Sequence, residues 1–288
     1  FKSGNASRSA ANLAKKEIFE KPRVMDAIAA SYAMIFMMAR DHGDEFEAHV
    51  LKEARELQIP LEEGQLIILT GVTLAALIQP IPALAASILE LDMHLLRFGD
   101  WAGEEPFRNP FQTDTKLEVR LGELRAMFQY PRARIRIVGS PGDGKTRTVL
   151  EAIRGTTHQA TTLYAHQPQD VPGQLLQYLR QTADSKCVLV VDEVDDDTAE
   201  DLRAKCDTMP PGVHLVLIGI DASGRPQPET VQIEGLTEDL LIKTIDAITP
   251  GLPREVAKEI AEVCERSPKL AVLIANRISQ DPSLVSPS

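Results

Sequence analysis

The stretch that decides the fold of this 288-residue chain is GSPGDGKT, residues 139–146. It fits the pattern G-x-x-x-x-G-K-[ST] and lies between an apolar run, residues 135–138, and a helical pattern that starts at Thr146. Glycines let the backbone curl so that its N–H groups point at an anion, and the following helix N-terminus adds partial positive charge. The order of strand, loop and helix therefore predicts a phosphate-binding loop.

The polar side chains of this loop have separate predicted roles. Lys145 is expected to reach the β and γ phosphates of a nucleotide, and the Thr146 hydroxyl is expected to ligate Mg²⁺. The other residues of the motif and the one that follows it are predicted to bind the nucleotide, namely Gly139, Ser140, Pro141, Gly142, Asp143, Gly144 and Arg147.

A second motif follows an uninterrupted apolar run, residues 187–191, which is typical of a buried strand. The run ends in Asp192 and Glu193. A carboxylate at the carboxyl end of a parallel strand lies where open α/β sheets bind ligands, so Asp192 is the predicted second Mg²⁺ ligand. Glu193 can polarise the attacking water, which makes Lys145 and Glu193 the predicted catalytic residues.

The alternation of apolar runs with helical segments after Arg134 predicts a parallel sheet covered on both faces. One strand and helix, residues 161–183, lie between the two motifs in sequence, so another strand can be inserted between the two motif strands. The last fifty residues carry three helical patterns and no strand between them, at residues 238–248, 254–264 and 269–278.

The N-terminal residues 1–97 are predicted to form an all-α domain. Apolar residues recur every three or four positions from Val24 to Ala39, and residues 64–89 carry no charged side chain. Pro80 and Pro82 interrupt this apolar stretch, which predicts a buried helical hairpin with a break between residues 78 and 83. A membrane-active hairpin is the alternative, although neither half is long enough to span a bilayer alone.

Residues 98–114 are rich in Gly, Pro and acidic side chains, which predicts a linker. A helix is expected directly after it, over residues 115–128. The expected domains are therefore residues 1–97, a linker over 98–114 that contacts the nucleotide, an ATPase core over 115–235 and a helical domain over 236–288.

The composition is that of a globular protein, with 43% apolar and 25% charged residues. A formal net charge of −11 excludes bulk attraction to nucleic acid or to an anionic membrane. Arg132, Arg134 and Arg136 nevertheless give one basic face to the strand before the phosphate loop. Two interpretations stay open for this face, neutralisation by the acidic surface or a contact with nucleic acid.

Three cysteines that lie far apart argue against a disulfide framework and favour a reducing, cytoplasmic compartment. The acidic residues 195–197 are expected to cap a helix rather than to act in chemistry. His214 at the start of a strand is expected to be a packing residue. Asp221 and Ser223, at the end of that strand, are poor matches to a residue that senses the γ-phosphate.

With these motifs in place, residues 107–280 resemble the STAND branch of AAA+-like signalling ATPases, which includes the NB-ARC-like switches. This branch belongs to the additional-strand catalytic-Glu class of P-loop ATPases. The resemblance rests on both phosphate motifs and on four further segments, residues 107–124, 210–219, 231–245 and 267–278. Two departures are Arg266, which stands where the family has Gly two residues before a proline, and the missing sensor arginine.

The resemblance implies an α/β P-loop NTPase core with a parallel sheet, a C-terminal helical lid and an N-terminal all-α domain. It implies that Pro110, Phe111 and Pro268 contact the adenine of ATP or ADP, with Mg²⁺ as cofactor. The family's lid folds over ADP, and ATP exchange moves it to permit self-association. Bacterial relatives often act in anti-phage defence or regulation, which makes the N-terminal domain a partner-binding or effector element.

The alternative function is that of an AAA+ ATPase acting on nucleic acid, similar to origin-recognition or transposition-regulator ATPases. The basic strand face is its positive sign in the sequence. Arg203 and Arg225 are the candidates for an arginine finger.

Overall fold

A computed structural model describes residues 34–38, 43–59, 66–88, 94–220 and 229–285. The chain divides between Gln79 and Pro80 into two compact units. The boundary that separates compact units thus lies before the expected linker over residues 98–114.

The first unit contains a strand, helix, strand arrangement. Strand β1 (Met34–Met38) pairs in parallel with β2 (Leu66–Thr70), and helix α1 (Gly43–Glu56) lies between them in sequence. Helix α1 buries Phe46, Val50 and Ala54, whose spacing of four residues places them on one face. Helix α2 (Gly71–Ile78) follows β2 without a break.

The prediction of an all-α N-terminal domain is therefore wrong. Both strands are five-residue apolar runs, MIFMM and LIILT, and periodicity cannot distinguish such short runs from buried helix. The predicted helix over residues 24–39 lies mainly outside the described residues, and the part inside them is β1.

The break at Pro80 and Pro82 is confirmed, since α2 ends at Ile78 and α3 (Pro82–Ile88) begins at Pro82. Val72 and Leu77 are exposed, so the expectation that the hairpin is buried fails along α2. Within the described ranges, no helix is both long and apolar enough to cross a membrane.

The second unit is organised around a sheet of six strands drawn from its described residues, in the order β3, β5, β6, β7, β4, β8. Strand β3 is antiparallel to its neighbour β5, and the other pairs are parallel. The strands are β3 (Leu96–Arg97), β4 (Arg134–Val138), β5 (Thr162–Ala165), β6 (Cys187–Val194), β7 (Val213–Gly219) and β8 (Thr230–Gln232).

An additional strand does separate the two motif strands, but it is β7 and not the strand within residues 161–183 from which the expectation was drawn. Strand β7 hydrogen-bonds to β4, which precedes the phosphate loop, and to β6, which carries Asp192 and Glu193. Strand β5, which lies between the motifs in sequence, pairs with the other edge of β6. The core is thus a mostly parallel α/β sheet of the P-loop NTPase type.

Helices cover both faces of this sheet. Val188 and Val190 of β6 belong to one apolar cluster, whereas Leu189 and Val191 belong to another, because successive side chains of a strand point to opposite faces. Helix α3 belongs to this core through Ala83, which lies in the cluster of Leu189 and Val191. The further helices of the core are α4 (Phe98–Ala102), α5 (Thr115–Met127), α6 (Lys145–Ile153), α7 (Gly173–Gln181) and α8 (Asp196–Cys206). Asp114 caps α5 and Asp195 caps α8, the latter as predicted.

The expected linker over residues 98–114 is part of the core. It contains α4, whose Trp101 is fully buried, and its partly buried Phe107 and Phe111 pack against the same apolar cluster. The polar composition predicted a linker here. Burial of two aromatic side chains of α4, Phe98 and Trp101, offsets the conformational entropy that is lost when the segment is ordered. The limits of the other expected domains stay predictions.

Three helices follow the sheet, as predicted. They are α9 (Glu238–Ile248), α10 (Arg254–Val263) and α11 (Pro268–Gln280). They share an apolar cluster of their own, in which Leu241 and Ile245 of α9 pack against small residues of α10 and α11 such as Ala257 and Ala271.

Candidate functional site

The phosphate loop connects β4 to α6, as the sequence predicts. Gly144 caps α6 in the left-handed region, with φ of 84°, and Gly142 has φ of 89°. Side chains with a Cβ adopt such angles at a cost, so both glycines are required by the turn. The helix begins at Lys145, one residue before the predicted start, and its first turn faces the loop.

Lys145 lies folded onto the loop. Its Nζ donates to the carbonyl oxygens of Gly139 at 2.9 Å and of Ser140 at 2.8 Å. Burial lowers the pKa of Lys145, and the carboxylates of Asp143 and Asp192 act against that shift. Asp143 also accepts a hydrogen bond from the Ser140 backbone N–H at 2.7 Å, which braces the turn.

The two predicted metal ligands meet beside the loop. The Thr146 hydroxyl donates to Asp192 Oδ2 at 2.6 Å, although the two residues are 46 positions apart. A hydroxyl and a carboxylate are oxygen donors of the kind that Mg²⁺ prefers when phosphate oxygens and waters complete its shell. The residues present therefore fit a Mg²⁺ ion bound together with a nucleotide.

Glu193 stands at the exposed rim of the same site. Its backbone lies in the left-handed region, with φ of 54°, and its N–H donates to Asp192 Oδ1 at 2.8 Å. The register of β6 against β7 shifts between Val191 and Val194, so the strand is irregular at this point. A glutamate at positive φ is strained, and such strain is typical of functional positions.

The sequence analysis missed a third residue at this carboxylate, Tyr164. Its hydroxyl lies 3.1 Å from Asp192 Oδ2, and burial together with the Asp192 charge raises the pKa of the phenol. The phenol is therefore protonated and donates. The available signal was its place near the carboxyl end of β5, because neighbouring parallel strands end at the same edge of a sheet.

Arg147 is turned towards the segment before α5. Its guanidinium donates to the carbonyl oxygens of Phe107 at 2.6 Å and Asn109 at 3.0 Å. Its Cζ also lies 5.3 Å from the ring centroid of Phe111, and Glu151 pairs with it at 2.9 Å. Arg147 thus fastens the segment that contains Pro110 and Phe111 to the first turn of α6, and its predicted contact with the nucleotide stays a prediction.

The first turn of α11 contacts the phosphate loop from another side. The Lys269 N–H and the Ser267 hydroxyl donate to Gly142 O at 3.3 Å and 3.4 Å. A Cβ on Gly144 would lie 3.3 Å from Pro268 Cγ, so Pro268 packs against the loop backbone. Pro268 is also the first residue of α11, and its predicted contact with adenine stays a prediction.

The departure at Arg266 has a conformational counterpart. Arg266 has φ of 72°, the region that favours glycine, and Glu265 before it has φ of 46°. Two hydrogen bonds to the segment after β8 stabilise this strained backbone. The Arg266 carbonyl accepts from Leu236 N at 2.9 Å, and Arg266 Nη2 donates to Gly235 O at 3.2 Å.

The basic face expected on β4 is not a surface. Arg134 and Arg136 are only 9% and 3% exposed. The Arg134 guanidinium donates to the carbonyl oxygens of Cys206 and Val213, and Arg136 Nη2 donates to Val194 O at 2.8 Å and lies 3.3 Å from an Asp196 oxygen. The interpretation as a nucleic-acid contact is wrong for these two residues, because both guanidinium groups are buried and directed at backbone carbonyls and a carboxylate.

The remaining candidates have separate outcomes. Arg203 Nη2 donates to Arg134 O at 2.9 Å, an internal contact that argues against a role as arginine finger. Asp221, Ser223 and Arg225 lie outside the described residues. His214 is a packing residue as predicted, since burial lowers its pKa to about 4 and its Nδ1 accepts from the Ala133 N–H.

Comparisons with known proteins give low similarities. No family model and no curated protein matches the chain. Among solved structures, Drosophila ORC bound to DNA aligns with a TM-score of 0.44 and 17% identity, covering 59% of this chain and 56% of that one. A STAND protein with a tetratricopeptide repeat sensor from Pyrococcus horikoshii aligns with a TM-score of 0.39 and 10% identity, and the alignment covers 60% of this chain and 30% of that one.

A third structure, PCH-2 from C. elegans, aligns with a TM-score of 0.36 and 12% identity, covering 62% of this chain and 64% of that one. The chain thus spans less than two thirds of each of these proteins. Because the scores are low, the assignment of a P-loop NTPase core rests on the strand order and on the geometry of the phosphate loop.

Proposed function

We propose that the protein is a Mg²⁺-dependent ATPase that works as a nucleotide-controlled switch. The observation that carries the proposal is the 2.6 Å contact between Thr146 and Asp192 at the end of a phosphate loop that also presents Lys145. An accidental glycine-rich turn would not bring a hydroxyl from one motif onto the carboxylate of the other. Bound Mg²⁺ would neutralise phosphate charge between these two side chains.

The residues of the site divide the chemistry between them. Lys145 would exchange its two carbonyl partners for the β and γ phosphates, whose charge makes the new hydrogen bonds the stronger ones. Glu193, at the rim, orients the attacking water and accepts its proton. Thr146 and Asp192 hold the metal, and the N-terminus of α6 adds its dipole to the loop.

The switch part of the proposal rests on α9, α10 and α11 acting as a lid. These helices have their own apolar cluster, and their contacts with the phosphate loop itself include two hydrogen bonds to Gly142 O. A ligand can shift the lid only if it binds the two lid positions with different affinity, and a nucleotide held by the phosphate loop would lie beside this contact. As the family resemblance implies, the ATP form would self-associate.

The cellular role follows the same resemblance. We propose a regulatory or anti-phage defence ATPase of the STAND, NB-ARC-like type, whose N-terminal unit binds a protein partner or acts as the effector. A cytoplasmic location is proposed as well, which agrees with three free, buried cysteines. The alternative as a nucleic-acid ATPase loses most of its supporting observation, because Arg134 and Arg136 are internal. The third arginine, Arg132, is exposed, and its Nε donates to Met209 O at 2.6 Å.

The test compares Glu193→Gln with Glu200→Gln, a matched change at an exposed glutamate on α8. Glu193→Gln should lower the rate of ATP hydrolysis by about 10²- to 10⁴-fold and leave ATP bound, because the amide keeps the shape but cannot accept a proton. Glu200→Gln should hydrolyse ATP like the wild type. Hydrolysis by Glu193→Gln at the wild-type rate would refute the assignment.

The switch is tested by mass photometry of the wild type and of Glu193→Gln in ADP and in ATP, each with and without DNA. ATP should increase the mass of the assembly, most in the variant that retains it, and DNA should not be required. Two results together would favour the nucleic-acid ATPase instead. The mass distribution would be the same in ADP and in ATP, and the ATPase activity would rise strongly with DNA at physiological salt.

A further inference from the structure

Tyr164 occupies a position that the two phosphate motifs do not explain. Its side chain is buried, with the residue only 3% exposed, yet its hydroxyl reaches Asp192 Oδ2 at 3.1 Å. The same oxygen accepts from Thr146 at 2.6 Å, while Oδ1 accepts from the Glu193 N–H at 2.8 Å. The carboxylate thus has three hydrogen-bond donors that come from three different elements of the fold.

The aromatic ring of Tyr164 is held in place by its neighbours. It stacks on Trp101 with ring centroids 4.3 Å apart and an angle of 3° between the planes. Trp101 is itself fully buried and makes edge contacts with Phe98 and Phe107. On the outer side, the ring of His166 lies edge-on at 5.0 Å. A ring packed in this way fixes the position of its hydroxyl oxygen.

We infer that Tyr164 is a positioning residue, which holds the Asp192 carboxylate in the orientation that binds the metal. The inference rests on the proposed function, in which Asp192 and Thr146 share Mg²⁺. Asp192 lies where β6 becomes irregular, so the strand alone does not fix its side chain. A hydrogen bond from a rigid donor to a ligating carboxylate lowers the ordering cost of metal binding.

The contact also explains the buried tryptophan of α4. Trp101, the single tryptophan of the chain, supports the ring that touches the predicted metal ligand. Phe107 connects this stack to the segment held by Arg147. Residues 98–114, which were expected to form a linker, therefore support the proposed metal site through Trp101 and Tyr164.

The test uses Tyr164→Phe, which removes one oxygen and keeps the stacked ring. The matched control is Tyr130→Phe, at a tyrosine that is 68% exposed. Binding of Mn²⁺ to the ADP-saturated protein is measured by electron paramagnetic resonance of the free ion, and ADP affinity is measured separately in EDTA. Thermal unfolding of the same samples shows whether each variant is folded at the assay temperature.

Tyr164→Phe should bind Mn²⁺ about tenfold more weakly in the ADP complex, the usual scale for an outer-shell partner of a metal ligand. Its ADP affinity in EDTA should equal that of the wild type, since the hydroxyl touches no part of the phosphate loop except through Asp192. Tyr130→Phe should match the wild type in both measurements.

Unchanged Mn²⁺ affinity in Tyr164→Phe would overturn the inference, and so would an equal loss of ADP affinity in EDTA, which would indicate a purely structural role. If the wild type itself binds no Mn²⁺ with ADP, the proposed function fails and the inference fails with it. Should Tyr164→Phe not fold, Trp101→Phe takes its place, because it keeps the Tyr164 hydroxyl and reduces the ring stack that fixes it. Weaker Mn²⁺ binding by this variant with unchanged ADP affinity in EDTA supports the inference, and unchanged Mn²⁺ affinity overturns it.

Discussion

The phosphate loop is contacted on one side by the sheet and on another by α11, and the two contacts differ in how they are built. On the sheet side, Thr146 and Asp192 meet at 2.6 Å, and β6 is hydrogen-bonded to strands on both of its edges. On the α11 side, two hydrogen bonds of 3.3 and 3.4 Å reach a single carbonyl oxygen, that of Gly142. The first contact joins the side chains of both motifs, whereas the second consists of one hydroxyl and one backbone N–H that donate to a backbone carbonyl.

The difference shows which part of the site can move. Asp192 is held beside the loop in two ways, because its backbone belongs to β6 in the centre of the sheet and its carboxylate accepts hydrogen bonds from Thr146 and Tyr164. Helix α11 can leave by breaking two long hydrogen bonds and the packing of Pro268, because its own apolar cluster is formed with α9 and α10. Under the proposed function, the chemistry would stay fixed to the sheet, and regulation would act through the contact with α11, which is the more easily broken of the two.

The largest expected effect is on the sheet side, at Lys145. Lys145→Ala removes the cation that faces the phosphates, so ATP and ADP affinities should fall roughly 100-fold, the scale of charged hydrogen bonds to two phosphate groups. Isothermal titration calorimetry measures the change. Lys258→Ala, at an exposed lysine of α10, is the control and should bind nucleotide normally. Equal nucleotide affinities in the two variants would show that Lys145 does not bind the phosphates.

The second prediction concerns the close packing behind the acidic pair. A Cβ on Gly219, at the end of β7, would lie 1.9 Å from Val194 O and 2.9 Å from Arg136 Nη2. Gly219→Ala should lower the free energy of unfolding by about 2 kcal/mol, because buried neighbours must move. Gly122→Ala, in α5 with no atom near the added Cβ, should instead increase stability. Chemical denaturation of both variants is the measurement, and a stable Gly219→Ala would show that the sheet side is less rigid than we infer.

The third prediction tests the α11 side with two matched cap residues. Ser267 caps α11 and donates to the loop at Gly142 O, whereas Thr237 caps α9 and donates to Asp114. Either change to Ala should cost about 1 kcal/mol of stability. Only Ser267→Ala should speed amide hydrogen exchange in residues 139–144, because it removes one of the two bonds to Gly142 O. The same exchange in both variants would contradict the contact.

The smallest expected effect is at Arg266, just before that turn. Both Arg266→Gly and Arg266→Ala lose the contacts of the side chain, but glycine also relieves the φ of 72°. The Gly variant should therefore be more stable than the Ala variant by about 0.5 kcal/mol. This difference is the strain energy that glycine relieves in the left-handed region, minus the stability that glycine loses because it makes the unfolded chain more flexible. Differential scanning calorimetry can resolve this ordering, and the reverse order would mean that the backbone is not strained here.

The sequence alone determined the parts of the molecule that are encoded within a few neighbouring residues. GSPGDGKT specifies its loop through Gly142 and Gly144, and the apolar run before Asp192 specifies a buried strand. The capping role of Asp195 and the three helices after residue 236 were predicted close to their observed limits. In each case hydrophobic periodicity, a cap or a required φ angle acts locally, so no distant partner has to be known.

Only the tertiary structure decided which distant residues meet. Strand β7 enters between the motif strands, Tyr164 reaches Asp192, and Arg134 and Arg136 turn inward to carbonyl groups instead of outward to a ligand. The apolar runs of β1 and β2 likewise form strands because they pair with each other, at a separation of about thirty residues along the chain. A strand partner, or the acceptor of a buried guanidinium, is set by chain topology, and topology is not a property of any local stretch of sequence.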